Sequence, residues 1–313
     1  MKQTTDMKIA IAMTLDDRYV PPARATIESI HRNGGPKRGV TLVVVSRGLS
    51  DASLAALRET SASTGIPIEF RFVEDVSELG AIPEWAVPAC LRLFVGDVCA
   101  DFDRVLFLDA DLLILDDLDP LMRYDLGGRS AAAVVHFPPM SVMRVAVPKS
   151  RRGDADPEAP YFNAGVVLFD ARKWQERSIG QRSRAFLNRY PATRILDQDA
   201  WNVILSGDWC VLDKEWNVPA GPMDDAPILR GLSHMNPAIT EELRSWEPAQ
   251  RRPRILHYVG QPKPWESNYP WPELAELYRG YMRPEFGTDW PGYQERLIAT
   301  DNNELRTREF IRT

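Results

Sequence analysis

Short apolar runs alternate with amphipathic stretches through the first half of the chain. The apolar runs are rich in Val, Ile and Leu, and they predict strands over residues 8–14, 40–46, 66–73, 104–108 and 131–135. Helix signals stand between them: Pro21 and Pro22 suit a first helical turn, Ser50 is a candidate N-cap, and a helix is predicted over 89–98. This alternation predicts an α/β fold with a mostly parallel central sheet and helices on both faces.

Two segments lack sustained periodicity. Residues 137–160 contain five prolines and mixed charges, and residues 218–253 are also rich in proline and polar side chains. A long loop in a compact domain is usually functional or disordered, so 137–160 is a candidate acceptor-facing segment, and the two segments are predicted to line one side of a shared cleft. We expect one catalytic domain over residues 1–265 and a helical C-terminal extension over 266–313, packed on that domain or trailing from it.

Composition and charge limit the possible ligands. The 313-residue chain is 44% hydrophobic and 26% charged, as expected for a folded globular protein, and its formal net charge is −6. The negative charge provides no general attraction to nucleic acid, so an anionic ligand would have to be met by local cations or by a metal.

The location of the protein is predicted from its cysteines and its ends. The three cysteines have no Cys-x-x-Cys spacing, which indicates a reducing, cytoplasmic setting without a zinc knuckle or a disulfide framework. The sequence has no signal peptide and no run of about 18 apolar residues. A tail carrying Arg306, Arg308 and Arg312 leaves open a weak peripheral contact at the inner face of a membrane, although a solvated tail is the simpler interpretation.

Two carboxylates separated by one residue, Asp109 and Asp111, follow directly after a strongly apolar run. Strands of a parallel sheet present ligands at their carboxyl ends, and two like charges crowded there would repel unless a divalent metal neutralised them. The pair therefore indicates a cation site. The alternative is that it only begins a polar turn before Asp116, Asp117 and Asp119.

Three further segments carry candidate ligand-binding side chains. Asn163 lies in the run YFNAG, beside a small Ala-Gly step that lets backbone approach a ligand closely. Asp197 and Gln198 open a predicted helix in the run DQD, and His257 stands in the run HYVGQPKPW after a short apolar strand. Taken singly, each has an ordinary structural explanation, such as a turn, a helix cap or a hydrogen-bonded histidine.

The ordered set FLDAD, YFNAG, DQD and HYVGQPKPW resembles the retaining nucleotide-sugar glycosyltransferases of family 8, which include bacterial lipopolysaccharide galactosyl- and glucosyltransferases and are similar to glycogenin. The resemblance covers residues 8–265. It implies a GT-A fold, a Rossmann-like α/β domain that binds a UDP-sugar together with Mn²⁺ or Mg²⁺. Asp109, Asp111 and His257 match the family's metal ligands, and Mn²⁺ accepts this combination of oxygen and imidazole ligands.

The resemblance also implies how the donor is bound. Three residues near the start of the chain match those around the uridine: Thr14, Asp16 and Tyr19. Arg92 matches a family position that faces the diphosphate. Lys263 is expected to reach the same phosphates as a point charge, Gly260 to let the backbone close over them, and Asp109 to take part in donor binding as well as in metal binding. Those that match the surroundings of the transferred hexose are Asn163, Asp197 and Gln198. The sequence departs from its relatives at Leu15 and Arg18, where small residues are usual.

Retention of the anomeric configuration limits the mechanism that the resemblance implies. A double displacement would require a nucleophilic carboxylate under the anomeric carbon, yet the matching residue is the amide Gln198. A front-face mechanism is therefore expected, in which the UDP leaving oxygen deprotonates the acceptor hydroxyl, Asp197 accepts hydrogen bonds from the sugar and Gln198 steadies the cationic intermediate. His136 stands where galactose-transferring relatives have an acidic residue, so the hexose, glucose or galactose, stays open.

Two other functions are weighed against this one. A haloacid-dehalogenase-like phosphatase also places Asp-x-Asp after a buried strand, but its motif is expected near the first strand and before Gly-Thr or Gly-Val, whereas Leu112 and Leu113 follow here. A non-catalytic nucleotide-sugar-binding module would keep the fold without turnover. The acceptor is predicted only as a hydroxyl of a glycan, lipid or small molecule. Most large aromatics belong to cores, and only Trp246 and Trp265 are candidates for lining a cleft.

Overall fold

The apolar run Ile9–Thr14 forms β1, an interior strand of the main sheet, in a computed structural model that describes residues 7–34, 40–138, 140–221 and 237–282. Alternate side chains of β1 point to opposite faces, so that Ile9 and Ile11 join one hydrophobic core and Ala10 and Ala12 join the other. All four are at most 2% exposed. Burial on both faces explains why this strand is a continuous apolar run.

The remaining strands have the following bounds: β2 Val40–Ser46, β3 Ile68–Phe72, β4 Arg104–Leu108, β5 Leu112–Ile114, β6 Ala131–Val135, β7 Phe162–Asp170, β8 Trp209–Val211, β9 Val218–Pro219 and β10 Ile255–His257. The α-helices of the described residues are α1 Val20–Asn33, α2 Asp51–Thr64, α3 Val87–Cys90, α4 Val95–Val98, α5 Asp119–Met122, α6 Met143–Ala146, α7 Lys149–Arg152, α8 Ala171–Glu176, α9 Ile179–Arg189, α10 Leu196–Ile204, α11 Pro237–Arg244, α12 Glu247–Arg251 and α13 Pro272–Met282.

The main sheet has the strand order β3-β2-β1-β4-β7-β6-β8. Strands β1, β2, β3 and β4 are parallel, β6 and β8 are parallel to each other, and β7 runs antiparallel to both of its neighbours. The predicted mostly parallel sheet is therefore confirmed. Because β2 and β4 lie on opposite sides of β1, the chain order reverses between β1 and β4, and such a switch point opens a crevice at the carboxyl ends of the two strands.

The predicted helix starts are largely confirmed. Ser50 caps α2, since its hydroxyl accepts a hydrogen bond from the backbone N–H of Ser53, and Pro21 lies in the first turn of α1. The predicted helix over 89–98 is not one regular helix, because a 3₁₀ segment, Leu91–Phe94, separates α3 from α4. Arg92 is on that 3₁₀ segment.

A second, smaller sheet joins β5, β10 and β9. Strand β10 is antiparallel to β5 and parallel to β9, and its register places His257 opposite Leu112 and Pro219. This pairing brings a histidine far along the chain to the turn that carries Asp111. The small sheet is therefore the element that unites the predicted ligands.

Both segments predicted to be irregular contain helices. Residues 137–160 include the one-turn helices α6 and α7, and a small hydrophobic cluster around Met143 and Tyr161 packs beneath them. Residues 237–251 form α11 and α12, while residues 222–236 lie outside the described part. The prediction of irregular structure was wrong because it took prolines as helix breakers. Pro237 and Pro248 stand at helix starts, where a backbone N–H would have no partner within the helix.

The last helix of the described residues, α13, packs on α1. Asn33 donates a hydrogen bond to the Tyr281 hydroxyl at 2.8 Å, and the Tyr278 hydroxyl donates to the carbonyl of Pro22 at 3.2 Å. The predicted division into residues 1–265 and 266–313 stays a prediction. The basic tail with Arg306, Arg308 and Arg312 lies outside the described residues. No helix in the described ranges combines the length and apolar character that a membrane crossing requires.

Candidate active site

Asp109 and Asp111 stand on the turn that follows β4. The turn is held from α1 by Thr26, whose hydroxyl lies 2.9 Å from the carbonyl oxygen of Ala110 and 2.8 Å from that of Leu112. The N–H of Asp109 donates to the carbonyl of Gly165 on β7 at 2.9 Å. Both aspartates line the crevice at the carboxyl ends of β1 and β4, so the predicted delivery of carboxylates to this edge is confirmed.

The imidazole of His257 lies beside both carboxylates. Its Nε2 atom is 3.4 Å from Oδ1 of Asp111 and 3.7 Å from Oδ2 of Asp109. The ring sits directly over Gly165, where an added Cβ would come within 2.2 Å of the His257 Cε1 atom and 2.9 Å of the Asp109 Oδ2 atom. Glycine is therefore required at position 165 for this arrangement.

Asp109, Asp111 and His257, together called the acidic cluster below, form a group that could hold a metal ion. One ligand atom from each residue lies within 4.8 Å of the others, and Asp111 and His257 are buried. Two carboxylates and one imidazole suit a divalent transition metal and leave coordination positions for further oxygen atoms. Asp116, in contrast, is exposed and pairs with Arg254 at 3.3 Å, so the acidic run is divided between a buried cluster and a surface turn.

Arg92 connects the carboxylates of two elements. Its guanidinium group donates to Oδ1 of Asp109 at 2.8 Å and to the carbonyls of Ala164 at 3.0 Å and Ala89 at 3.1 Å, and it forms an ion pair with Oδ2 of Asp197 at 2.8 Å. Burial raises the pKa of Asp197 above its usual value, although the neighbouring Arg92 opposes this shift. Arg92 therefore fixes the positions of two acidic groups that would otherwise repel each other.

Lys263 is the counter-ion of Asp111. Its ammonium group donates to a carboxylate oxygen of Asp111 and to the carbonyl of Tyr258 at 2.8 Å, and the side chain is buried. Burial alone would raise the pKa of Asp111, but the ammonium group of Lys263 beside it lowers this pKa well below its usual value. Burial and the adjacent Asp111 raise the pKa of Asp109, with Arg92 opposing. The two aspartates are thus electrostatically different, although only one residue separates them.

Two adjoining cavities meet at this cluster. The β1-side cavity has a volume of about 560 Å³ and is lined by residues that include Thr14, Asp16, Tyr19 and Trp85. The β7-side cavity has a volume of about 710 Å³ and is lined by residues that include His136, Asn163, Gln198, Gly260 and Lys263. Six residues line both cavities: Arg92, Asp109, Asp111, Arg194, Ile195 and Asp197. A ligand that filled both cavities would pass over the two aspartates.

The amide of Gln198 has a defined orientation. The Tyr161 hydroxyl donates to a carboxylate oxygen of Asp199 at 2.6 Å, so it accepts from Nε2 of Gln198 at 3.1 Å. The Oε1 atom of Gln198 then accepts the N–H of Ala164 at 2.9 Å. A carbonyl oxygen has two lone pairs, so Oε1 keeps one further acceptor position, and Gln198 lines the β7-side cavity.

The family model for glycosyl transferase family 8 matches residues 10–269. The chain belongs to this family. It is 26% identical over 279 residues to general stress protein A of Bacillus subtilis (strain 168), covering 87% of this chain and 92% of that protein. It is 30% identical over 185 residues to lipopolysaccharide 1,2-glucosyltransferase of Escherichia coli (strain K12), covering 58% of this chain and 50% of that protein.

A solved structure gives the same result for the fold. The galactosyltransferase LgtC, in complex with donor and acceptor sugar analogues, superposes with a TM-score of 0.68 at 23% identity, over 90% of this chain and 98% of that one. The predicted GT-A fold and the predicted class of enzyme, a family 8 hexosyltransferase, are therefore confirmed. Family 8 membership also excludes the alternative of a haloacid-dehalogenase-like phosphatase.

Every site residue predicted from the family 8 resemblance lines one of the two cavities or belongs to the acidic cluster. Asp197 does not cap α10, because the cap residue is Ile195 and it is Asp199 that accepts the N–H of Ile195. His136 also lines the β7-side cavity, where burial lowers the pKa of its imidazole to about 4. The roles assigned to these residues stay predictions.

Three predictions about lining residues are wrong. Trp246 is 1% exposed in the main core, and Trp265 packs edge-on against Tyr19 at 6.1 Å without lining either cavity. Trp85, which was expected to be core, is 74% exposed at the β1-side cavity. The described part of the segment 218–253 lines neither cavity, whereas residues of 137–160 line the β7-side cavity: Phe137, Pro138 and Met140.

Asn217 is a further residue of the site that the sequence did not indicate. It is 3% exposed and contacts both His257 and Asn163 through its side-chain amide. A single asparagine in the run KEWNVP carries no recognisable signal, because its partners are 54 and 40 residues away in the chain.

Proposed function

We propose that this family 8 member transfers a hexose, glucose or galactose, from a UDP-sugar to a hydroxyl group of an acceptor glycan, lipid or small molecule, with a divalent cation and with retention of configuration. The observation that carries the proposal is the position of the acidic cluster. Asp109, Asp111 and His257 lie where two cavities meet, so a ligand spanning both would have its central atoms at the cluster.

The residues present fit a divalent cation such as Mn²⁺ or Mg²⁺. Two carboxylates offer hard oxygen ligands, and the His257 Nε2 atom lies on the same side as both of them. When bound, the cation would act as a Lewis acid that stabilises negative charge on a departing diphosphate. The chain has a net charge of −6, so a doubly anionic diphosphate needs such local positive charge to be attracted to this crevice.

The arrangement of the two cavities supports one orientation of the bound donor, with the nucleoside in the β1-side cavity and the sugar in the β7-side cavity. The β1-side cavity has the aromatic rings of Tyr19 and Trp85, which suit a flat nucleoside, and the acceptor groups of Thr14 and Asp16. The β7-side cavity has the carboxylate of Asp197 and the amides of Asn163 and Gln198, which suit the many hydroxyls of a sugar. The diphosphate would then lie near Arg92 and Lys263, which supply positive charge at the junction.

The chemistry that this arrangement favours is a substitution on one face of the sugar. The bond between the anomeric carbon and the phosphate oxygen breaks, the bond to the acceptor oxygen forms on the same face, and the acceptor proton passes to the departing phosphate oxygen. Gln198 lines this cavity and its Oε1 atom keeps one acceptor position, so its neutral amide would stabilise positive charge at the anomeric carbon without attacking it. Asp197 is held by Arg92, so it is suited to accepting hydrogen bonds from sugar hydroxyls.

The proposal is tested by release of UDP. The purified protein is incubated with UDP-glucose or UDP-galactose and Mn²⁺, in the presence and absence of a saccharide acceptor, and UDP is measured before and after a chelator is added. We expect release from at least one donor that stops with the chelator and resumes with excess metal. Asp109→Asn should abolish this release, whereas Asp116→Asn, in the same acidic run but outside both cavities, should not.

The alternative of a binding module predicts a different result. In that case UDP-sugars would raise the melting temperature in the presence of Mn²⁺, because a ligand that binds only the native state stabilises it, but no UDP would be released from any common donor. That result would reject the proposed transfer while leaving the nucleotide-sugar site in place.

A further inference from the structure

We propose that the side-chain amides of Asn163 and Asn217 set the tautomer of His257, so that the ring presents an unprotonated Nε2 atom to Asp109 and Asp111. This inference rests on the proposed function in one respect, since it is the cation that gives the free Nε2 a purpose. The arrangement of hydrogen bonds is independent of any bound metal, because every partner belongs to the chain.

The direction of the hydrogen bonds is fixed at the backbone. The N–H of Gly165 can only donate, and it donates to Oδ1 of Asn163 at 2.9 Å. The same oxygen is 2.9 Å from Nδ2 of Asn217. A carboxamide has its donor at one end and its acceptor at the other, so Asn217 is left with Oδ1 as the atom that faces His257.

The contact between Asn217 and His257 determines which imidazole nitrogen carries the proton. Oδ1 of Asn217 lies 2.8 Å from Nδ1 of His257, and a carbonyl oxygen accepts but cannot donate. The proton must therefore be on Nδ1, and in a neutral ring the Nε2 atom then carries a lone pair. Nε2 is the atom that faces both carboxylates.

The hydrogen bonds that run from the N–H of Gly165 through Asn163 and Asn217 to His257 are called the relay below. Burial makes the relay selective for one tautomer of His257. Asn217 and His257 are each 3% exposed and Asn163 is 9% exposed, so water cannot readily replace a lost partner. The opposite tautomer would turn two acceptors, Nδ1 and the Asn217 oxygen, toward each other in a buried place. It would also direct an N–H from Nε2 at the carboxylates, where a metal ligand needs a lone pair.

Asn217 is therefore a positioning residue for His257, and Asn163 positions Asn217. Histidine ligands in metalloproteins commonly donate their second ring N–H to a carbonyl or carboxylate, which fixes both the tautomer and the orientation of the ring. Here the acceptor is itself fixed by a second amide and by a backbone N–H on β7. The relay thus connects the strand that carries Gly165 to the ring that packs on it.

The test reads the tautomer directly in the metal-free protein. The chain has 4 histidines, so ¹⁵N-labelled histidine gives few resonances, and His257→Gln identifies those of His257. At a pH where the ring is neutral, we expect the wild type to show Nδ1 protonated and Nε2 unprotonated. Asn217→Leu should shift the population toward the Nε2–H form, and Asn163→Ala, which lets Asn217 rotate, should give a mixture.

Two variants separate this effect from general damage. Asn217→Asp keeps an acceptor for Nδ1–H and should retain the wild-type tautomer. Asn202→Leu removes another buried amide, which bonds the backbone of Phe162 on the same strand at 2.8 and 2.9 Å but does not contact His257, and it should also leave the tautomer unchanged. Should Asn217→Leu not fold, Asn163→Ala and the wild-type spectrum decide the outcome.

A second measurement is the affinity for Mn²⁺, followed by electron paramagnetic resonance in the presence of UDP. Asn217→Leu should weaken it by roughly 10- to 100-fold, the usual effect of losing the partner of a metal-bound histidine. A wild-type His257 with its proton on Nε2, or an Asn217→Leu protein with unchanged tautomer and unchanged Mn²⁺ affinity, would overturn the inference. A correct tautomer without any Mn²⁺ binding would instead reject the metal dependence in the proposed function and leave the relay intact.

Discussion

Gly165 and His257 are in direct contact, although 92 positions separate their numbers in the sequence. A Cβ on Gly165 would lie 2.2 Å from Cε1 and 2.8 Å from Nδ1 of the imidazole, far inside van der Waals distance. The run YFNAG and the run HYVGQPKPW are therefore two halves of one arrangement: the first supplies the space, and the second supplies the ring that fills it.

Gly165→Ala should displace His257 and weaken metal binding. The methyl group would collide with a ring that is 3% exposed and with the Asp109 carboxylate, so neither can move without breaking other contacts. We expect a loss of about 1–3 kcal/mol in unfolding free energy, as for other overpacked sites, and Mn²⁺ affinity reduced at least tenfold. Urea denaturation and metal titration measure the two effects.

Gly48→Ala is the matched control for that variant. A Cβ at Gly48 would meet no atom within 4 Å, and its backbone is outside the left-handed region, so stability and metal affinity should both stay at the wild-type level. A Gly165→Ala protein with normal Mn²⁺ affinity would show that the ring is not held in the position described.

Lys263→Met should destabilise the protein most when no metal is bound. Lys263 is 6% exposed and is the counter-ion of Asp111, so its removal leaves a buried carboxylate without its ammonium counter-ion. Breaking such a pair costs about 3 kcal/mol or more. A bound cation would neutralise the same carboxylate, so saturating Mn²⁺ should raise the melting temperature of the variant more than that of the wild type.

The control for this charge effect is Lys8→Met. Lys8 has a side chain that is 65% exposed, and its ammonium group is 4.0 Å from the carboxylate of Asp101. A change within about 0.5 kcal/mol is expected from its loss. Equal stabilities of Lys263→Met and wild type in a chelator would contradict the view that the ammonium balances Asp111.

The sequence predicted those parts of the site that depend on local pattern. Asp109 follows a strand that is buried on both faces, and the change from apolar to acidic residues marks the end of the strand. The DQD run begins an amphipathic helix, as expected. The position of His257 beside Asp111 depends on the register of β5 and β10 in the small sheet, which local pattern does not indicate. His257 was therefore predicted through its motif instead.

The parts that the sequence did not reveal depend on contacts between distant elements. Asn217 acquires its role from Asn163 and His257, and no spacing in the run KEWNVP indicates them. Trp85 and Trp246 are chemically identical, yet one is 74% exposed and the other is 1% exposed. Burial of a tryptophan outside a periodic element is decided by tertiary packing, which a single sequence does not display.

Gln198→Ala should lower kcat with little change in the KM for the donor. If the amide oxygen interacts with positive charge at the anomeric carbon, its effect is made in the transition state and not in the bound substrate. Loss of one such group typically costs roughly 10²- to 10³-fold in kcat. Steady-state kinetics with the donor identified by UDP release give both constants.

Asn202→Ala is the control for the structural part of that effect. Asn202 lies one turn further along α10, is fully buried, and also bonds the backbone of β7, but it does not line the β7-side cavity. Its loss should reduce stability without a comparable fall in kcat. A Gln198→Ala enzyme with kcat within about twofold of the wild type would reject the proposed role of the amide, since such a change is only a few tenths of a kcal/mol.

His136 should make the protein sensitive to mild acid. Burial lowers the pKa of its imidazole from 6.5 to about 4, with a smaller opposing effect from its hydrogen bond to the Phe137 carbonyl. Between these two pH values the unfolded chain binds a proton that the folded protein does not bind, so the stability contributed by the neutral ring is lost as the pH falls through this range.

His136→Phe removes that proton uptake. The loss of unfolding free energy between about pH 7.5 and pH 5 should be smaller in this variant than in the wild type by roughly 2 kcal/mol. Parallel denaturation profiles for His136→Phe and wild type across this range would mean that the ring is protonated in the folded state.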